Sequence, residues 1–391
     1  MAALLSHSIP ILAADTGSEN AFNPALSFIL SGTYGSLQRD PAIPATGFAM
    51  NPVPGHEQGF NLGESELGIS ANVDPQFRGV ATISLLPAGG ASVENAFVQT
   101  TALEDGLNLK FGRFFSGLGY LNEQHSHTWD FVDQPLVYSV LWGDQLNEDG
   151  VQLKWLAPTD IFVEIGGEMG KGRSFPGTDT AKNGSGAGVL FAHVGDDIGI
   201  EHSWRAGLSF HQTKQTNAPS ADVPNLHGTT ANNSFTGTSS TGGLDFVWKY
   251  SPNGNFRERY LKVQGEYFRR KESGNLTYDT AGTPVTDSFT VTQSGWYLQS
   301  VYQFMPTWRT GLRYDRLDSG TAAVGALNSG NVIANYGFSP SRLTWMADYS
   351  PSEFARIRLQ LAHDNSRQGL PDNQIYVQYI MALGAHGAHQ Y

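Results

Sequence analysis

Residues 374–383 read QIYVQYIMAL. Ile375, Val377, Tyr379, Met381 and Leu383 are apolar at every second position, with Gln374, Tyr376, Gln378, Ile380 and Ala382 between them. A period of two marks a β-strand with two unlike faces, one toward lipid or a core and one toward water. The stretch lies close to the terminal Tyr391. Two roles fit it: the closing strand of a membrane barrel, or the last strand of a soluble all-β domain.

The same pattern recurs upstream. Leu244, Phe246, Trp248 and Tyr250 alternate with Asp245 and Lys249, and Leu261, Val263, Gly265 and Tyr267 with Lys262, Gln264 and Glu266. Ile357, Leu359 and Leu361 alternate with Arg356, Arg358 and Gln360. Strands are expected at 23–34, 60–72, 77–86, 93–103, 107–115, 149–156, 161–170, 187–194, 201–213, 241–250, 257–271, 289–304, 308–317, 341–349, 353–364 and 373–383.

The connections discriminate between the two roles. Those after even strands are short and turn-like, and Pro75, Pro158, Pro252, Pro306 and Pro351 sit in them, where a fixed φ and a missing donor are tolerated. Those after odd strands are mostly long, including 35–59, 116–148, 171–186, 214–240 and 318–340; 87–92 and 365–372 are exceptions. Short turns on one side and long loops on the other characterise an outer-membrane barrel. A soluble sandwich has no reason to alternate its connections and leaves sheet edges to hide. The expected fold is therefore all-β: a transmembrane antiparallel β-barrel of about 16 strands over residues 23–391, with both ends on the periplasmic side.

Composition agrees. After the first fifteen positions there is no run of about 18 apolar residues, which excludes a helical membrane protein. The 45 glycines and abundant Phe, Tyr and Trp favour strands, tight turns and aromatic girdles. The absence of cysteine excludes a disulfide scaffold, a thiolate metal site and a cysteine nucleophile. A formal charge of -12 argues against a nucleic-acid partner and gives a pore a cation preference unless local charge opposes it. Residues 1–14, MAALLSHSIPILAA, read as a signal-peptide remnant without its basic n-region, or as a ragged terminus; 15–22 would be an N-terminal periplasmic segment.

If the apolar faces meet lipid, the intervening residues line the interior. That wall includes Arg78, Lys110, Lys154, Arg205, Lys249, Lys262, Arg309, Arg313, Arg356 and Arg358. Glu64, Glu66, Glu94, Glu164, Glu168, Asp245, Glu266, Asp315, Asp348 and Asp364 join them. Charges are costly in lipid and tolerable in a wet lumen. The four arginines of the late strands either form a positive wall or pair with Asp315 and Asp364.

Residues 116–148 differ from every other connection. They carry no Lys or Arg, several acids (Glu123, Asp130, Asp133, Asp144 and Glu148), and large apolar residues including Trp129, Phe131, Tyr138 and Trp142. A water-exposed loop has little use for that apolar content. A third extracellular loop folded inward onto the barrel wall would use it and would narrow the channel, with Glu123, His125, His127, Asp130 and Asp133 at the constriction. His125 and His127, with Glu123, also make a candidate divalent-metal set, although an HxH beside acids arises readily in polar loops. His386 and His389 are weaker candidates in a Gly/Ala-rich tail.

Taken together, the chain resembles the phosphate-selective porin O/P-like family of Gram-negative outer-membrane porins. The likeness lies in the sixteen-strand layout, in Gly112-Arg113-Phe114-Phe115 leading into an inward loop through Glu123, Ser126, Phe131 and Pro135, and in the C-terminal amphipathic strand. The resemblance implies a pore-folded third loop, a homotrimer, and a final strand read by the barrel-assembly machinery. Phosphate selectivity in that group needs basic residues around the constriction, and the loop here has none.

The expected function is that of an outer-membrane porin passing small hydrophilic solutes or ions, cation-leaning, with no cofactor and no enzymatic chemistry, surrounded by outer-membrane lipid and lipopolysaccharide. The alternative is a substrate-selective uptake channel or receptor for phosphate, another anion or a divalent metal. A TonB-dependent receptor predicts a separate plug and about 22 strands, whereas residues 1–22 alone precede the first expected strand. No Ser-His-Asp arrangement supports an enzyme, and a scaffolding barrel would have a plugged lumen.

Overall fold

The structure, a computed structural model, describes residues 24–48, 58–86, 89–178, 184–220 and 231–384. The expectations for 1–14 and 15–22, and those for His386, His389 and Tyr391, lie outside the described residues. No helix among the described residues is long and apolar enough to cross a membrane.

Sixteen antiparallel strands form one closed barrel. They are β1 (Ala25–Ser36), β2 (Ser65–Asn72), β3 (Phe77–Leu85), β4 (Ala91–Thr100), β5 (Leu107–Phe115), β6 (Asn147–Leu156), β7 (Phe162–Gly170) and β8 (Ala187–Ile198). There follow β9 (His202–Ser220), β10 (Asn233–Tyr250), β11 (Tyr260–Tyr278), β12 (Val285–Met305), β13 (Trp308–Asp318), β14 (Ser341–Ser352), β15 (Ala355–Asn365) and β16 (Asp372–Gly384). Each pairs with its neighbours, and β1 pairs with β16 from Ser27↔Gly384 to Ser36↔Ile375. That seam removes both sheet edges, as a lipid environment requires. Two short pieces, Gly59–Asn61 on β1 and Ala323–Val324 on β12, extend the sheet.

The closing strand shows why the pattern works. Ile375, Val377, Tyr379, Met381 and Leu383 are 44–52% exposed, while Gln374, Tyr376, Gln378, Ile380 and Ala382 are buried. An apolar face turned outward and a polar face turned inward is the arrangement of a membrane barrel. Leu343 and Trp345, Ile357 and Leu359, and Leu244 and Phe246 continue the outward band around the wall. The molecule is a multi-pass β-barrel of the outer-membrane type.

Three expectations need correction. The strand expected at 60–72 breaks at Gly63, whose φ of 56° suits glycine and whose N–H donates to Asn61 Oδ1. The long connection at 214–240 is largely strand, since β9 runs to Ser220 and β10 starts at Asn233. Strands β9–β12 carry 18–21 residues, about twice what a tilted crossing needs. The outward alternation ends inside them: Leu208 and Phe210 give way to Gln212 and Lys214, and Tyr267 to Arg269 and Lys271. Beyond that point the apolar residues change face. Phe235, Leu276, Phe289 and Val291 turn inward and pack with Val332 of the 319–340 connection.

Candidate functional site

Residues 116–146 leave β5 and return to β6 through a closed neck. Ser116 N–H donates to Leu146 O at 2.9 Å. Asn122 bridges the neck, donating from Nδ2 to Ser116 O and Leu146 O and accepting Leu146 N–H at Oδ1. The segment's own Asn122 side chain thus ties its two ends together. Within it, Pro135 precedes a short helix, α1 (Leu136–Trp142), which Gly143 ends with φ of 83°.

The apolar half of the segment packs on the barrel's inner face. Leu118, Leu121, Trp129 and the α1 residues Leu136, Val137, Tyr138, Val140, Leu141 and Trp142 are buried with Val189 and Phe191 of β8, Phe268 of β11, Tyr297 of β12 and Leu317 of β13. Tyr138 and Trp142 set their rings edge-on to or tilted against Phe268 and each other. These wall positions are apolar although they face inward, because the segment covers them. Glu266 then fixes the start of the segment. Its Oε1 accepts Tyr120 N–H and Leu121 N–H, and its Oε2 accepts the Tyr138 hydroxyl.

The polar half meets the charged wall. Asp130 pairs with Lys262 and, at 3.3 Å, with Arg309. Asp133 pairs with Arg313 at 2.8 Å and Arg342 at 2.5 Å. Glu123 pairs with Lys154 at 2.9 Å. Arg309 also holds Asp348, and Arg313 holds Asp315. Arg358 donates to Trp129 O at 2.7 Å, and Arg356 donates to Trp129 O and His127 O. Burial disfavours a charged Asp130, yet Lys262 and Arg309 hold its carboxyl well below the usual range. The late-strand arginines are thus engaged by carboxylates or by backbone carbonyls of the segment. Glu123, Asp130 and Asp133 do not set up a field of their own, because the basic wall projects into the same space.

Of the other wall residues named from sequence, Arg205 reaches the segment and Lys110 packs on strand aromatics. Arg205 lies 5.3 Å from the Tyr120 ring centroid and reaches Gly119 O at 3.5 Å. Lys110 sits over the Phe97 and Phe114 rings at 4.7 and 5.4 Å. Two buried strand arginines, Arg342 and Arg270, were missed. Arg342 holds Asp133 and donates to Gln134 O, and Arg270 donates to Leu141 O and Gln293 Oε1. Counting by two from Glu266 reaches Arg270, so alternation carried that signal.

The expected metal set is rearranged. Glu123 turns to Lys154, and His127 Nδ1 lies 2.9 Å from Glu66 Oε1. The residues that converge within 4.8 Å of one another are Glu66, Glu94 and His125. Glu123 leaves the set because its carboxylate is engaged by Lys154 on the wall.

No protein-family model matches the chain. It is 31% identical over 414 residues to an uncharacterized protein of Aquifex aeolicus (strain VF5), covering 96% of this chain and 81% of that one. Among solved structures it is similar to the trimer form of OmpT, an outer membrane protein of Vibrio cholerae (TM-score 0.54, 12% identity, 92% of this chain and 99% of that chain). It is also similar to the anion-selective porin from Comamonas acidovorans (0.55, 11%, 92% and 99%) and to the outer membrane channel DcaP of Acinetobacter baumannii (0.54, 11%, 92% and 97%). At such identities the likeness concerns the fold.

Proposed function

The chain belongs to one family with the Aquifex aeolicus protein, and we propose that it is an outer-membrane porin whose lumen is narrowed by residues 116–146. The observation that carries this reading is the reach of that one segment. It hydrogen-bonds to Glu266 on β11, Asp315 on β13 and Gln360 on β15, and packs on β8. A segment so anchored crosses the barrel interior and leaves solutes the space between itself and the uncovered wall.

Passage is passive, set by width and by charge, and no bond is made or broken. Because Asp130, Asp133 and Glu123 occupy wall bases, the arginines offer anions little free charge. Glu66 and Glu94, whose ion-pair partners are imidazoles, and the net charge of -12 then tilt the lumen toward cations. The resemblance to the phosphate-selective porin O/P-like group extends, on this reading, to the layout and the pore-folded third loop, and not to phosphate selectivity. A homotrimer seated in lipopolysaccharide, assembled through β16, completes the proposal; the OmpT trimer is the analogy for its oligomeric state.

Single-channel recording in planar bilayers tests it. The intact protein should conduct with a cation-directed reversal potential, and replacing residues 118–144 by a short glycine-serine link should raise conductance. Absence of conductance in the intact protein would remove the porin reading. Unchanged conductance after the replacement would remove the constriction.

A further inference from the structure

Where the segment meets β2 and β4, three side chains each turn one ligand atom toward one place. His125 Nδ1 lies 3.2 Å from Glu66 Oε2 and 3.0 Å from Glu94 Oε2. The second donor atom of each residue is already taken by a neighbour. Glu66 Oε1 is bonded to His127 Nδ1, Glu94 Oε1 accepts the Ser84 hydroxyl, and His125 Nε2 lies 3.1 Å from Asn95 Nδ2.

The backbone explains how this arises. The β3–β4 register slips between Thr82 and Ile83, which pair with Asn95 and Val93 and leave Glu94 as the extra residue of a bulge. A bulge puts two successive side chains on one face. Glu94 and Asn95 therefore both turn inward and take opposite nitrogens of the His125 ring. Elsewhere in the segment, Glu123, Asp130 and Asp133 are neutralised by lysine or arginine. Among the described residues, Glu66 and Glu94 form ion pairs only with imidazoles.

We propose that Glu66, Glu94 and His125 form a binding site for a divalent transition-metal ion at the junction of the loop and the wall. Two carboxylates balance the charge of one such ion. One imidazole with two carboxylates is a borderline-hard donor set suited to Zn²⁺, Co²⁺ or Mn²⁺. His127, Ser84 and Asn95 form the outer shell that orients the ligands, as metal sites generally need. With the ion on Nδ1, Nε2 carries the proton, and the Asn95 carboxamide turns its oxygen to accept it, giving up the 3.3 Å bond from Phe115 N–H. The site stands on these residues and does not require that the barrel be a porin.

The test uses the folded full chain in detergent micelles, with Zn²⁺ by titration calorimetry and Co²⁺ by absorption spectroscopy; heat-modifiable electrophoretic mobility verifies that each variant is folded. One Zn²⁺ per protomer should bind. Glu66→Gln and Glu94→Gln should each weaken binding at least tenfold, and His125→Asn should alter the Co²⁺ spectrum. Ser84→Ala, which leaves all three ligands in place, should weaken binding about 10- to 100-fold. Glu123→Gln and a His386→Asn/His389→Asn double variant should bind as the parent does. No stoichiometric binding by the parent, or binding as tight as the parent's in both glutamate variants and Ser84→Ala, would overturn the site. Either result leaves conductance unaddressed, so its failure is separate from that of the porin reading.

Discussion

The Asp133 carboxylate meets the Arg313 guanidinium of β13 at 2.8 Å, and the same guanidinium donates to Asp133 O at 2.7 Å. Asp133 also holds Arg342, and it accepts Gln360 Nε2–H at 2.8 Å. One loop carboxylate thus masks two wall arginines. Asp133→Asn should leave Arg313 and Arg342 sharing Asp315, and the reversal potential should move toward anions. Removing one partner of a buried pair costs about 3–5 kcal/mol, so the segment should also loosen, visible as larger current noise. An unmoved reversal potential would mean that these arginines do not face the permeation path.

Gly295 on β12 makes room for α1. A Cβ there would lie 2.5 Å from Leu317 Cδ2 and 2.8 Å from Val137 Cγ2. Gly295→Val should push the helix off the wall at an overpacking cost of about 1–3 kcal/mol, and conductance should change with it. Val137→Ala in the same chain should return conductance toward the parent value. Without that rescue, the glycine serves the strand and not the helix.

Much of this architecture is written in the period of two. The β16 alternation, the sixteen strands and the inward charges are legible because lipid on one side and water on the other force unlike faces. The boundaries of β9–β12 are not. There the outward side chains leave the lipid band, Phe235, Leu276 and Phe289 turn inward, and the hydrophobic phase reverses without a turn residue to mark it. Phe268 and Phe191 face inward for another reason: a segment far away in sequence covers them. The site at His125 was half legible. The HxH and a nearby acid drew attention to it, but Glu94 arrives by a bulge and Glu66 from a strand 59 positions earlier, relations that only the closed barrel creates.

The anchoring of the segment should withstand acid. Asp130 is held below the ordinary carboxylate range by Lys262 and Arg309 against the cost of burial. A lowered folded-state pKa stabilises above the unfolded value and is lost only as pH falls through the folded one. Between pH 7 and pH 4 the Asp130 contacts should persist. Amide hydrogen exchange of residues 129–136, corrected for intrinsic rates, should show unchanged protection over that interval. Asp130→Asn should lower that protection at every pH. Protection that fell between pH 6 and 4 in the parent would show that this ion pair does not anchor the segment.

The closing strand allows a depth test of the membrane band. Val377 and Asn373 lie on the same outward face of β16 and are both exposed. Val377 sits within the apolar run, opposite Leu359 and Tyr34, whereas Asn373 stands opposite His363, where that run ends. Arginine on the lipid face costs about 2–4 kcal/mol near the midplane and about 0–1 kcal/mol at the interface. Val377→Arg should therefore destabilise the barrel in lipid vesicles by the larger amount, and Asn373→Arg by the smaller, as read from reversible denaturant unfolding. Each variant should leave single-channel selectivity unchanged, since neither side chain faces the lumen. Equal destabilisation by the two would place the hydrocarbon band somewhere other than the run from Ile375 to Leu383, and the tilt and height of the barrel would have to be redrawn around it.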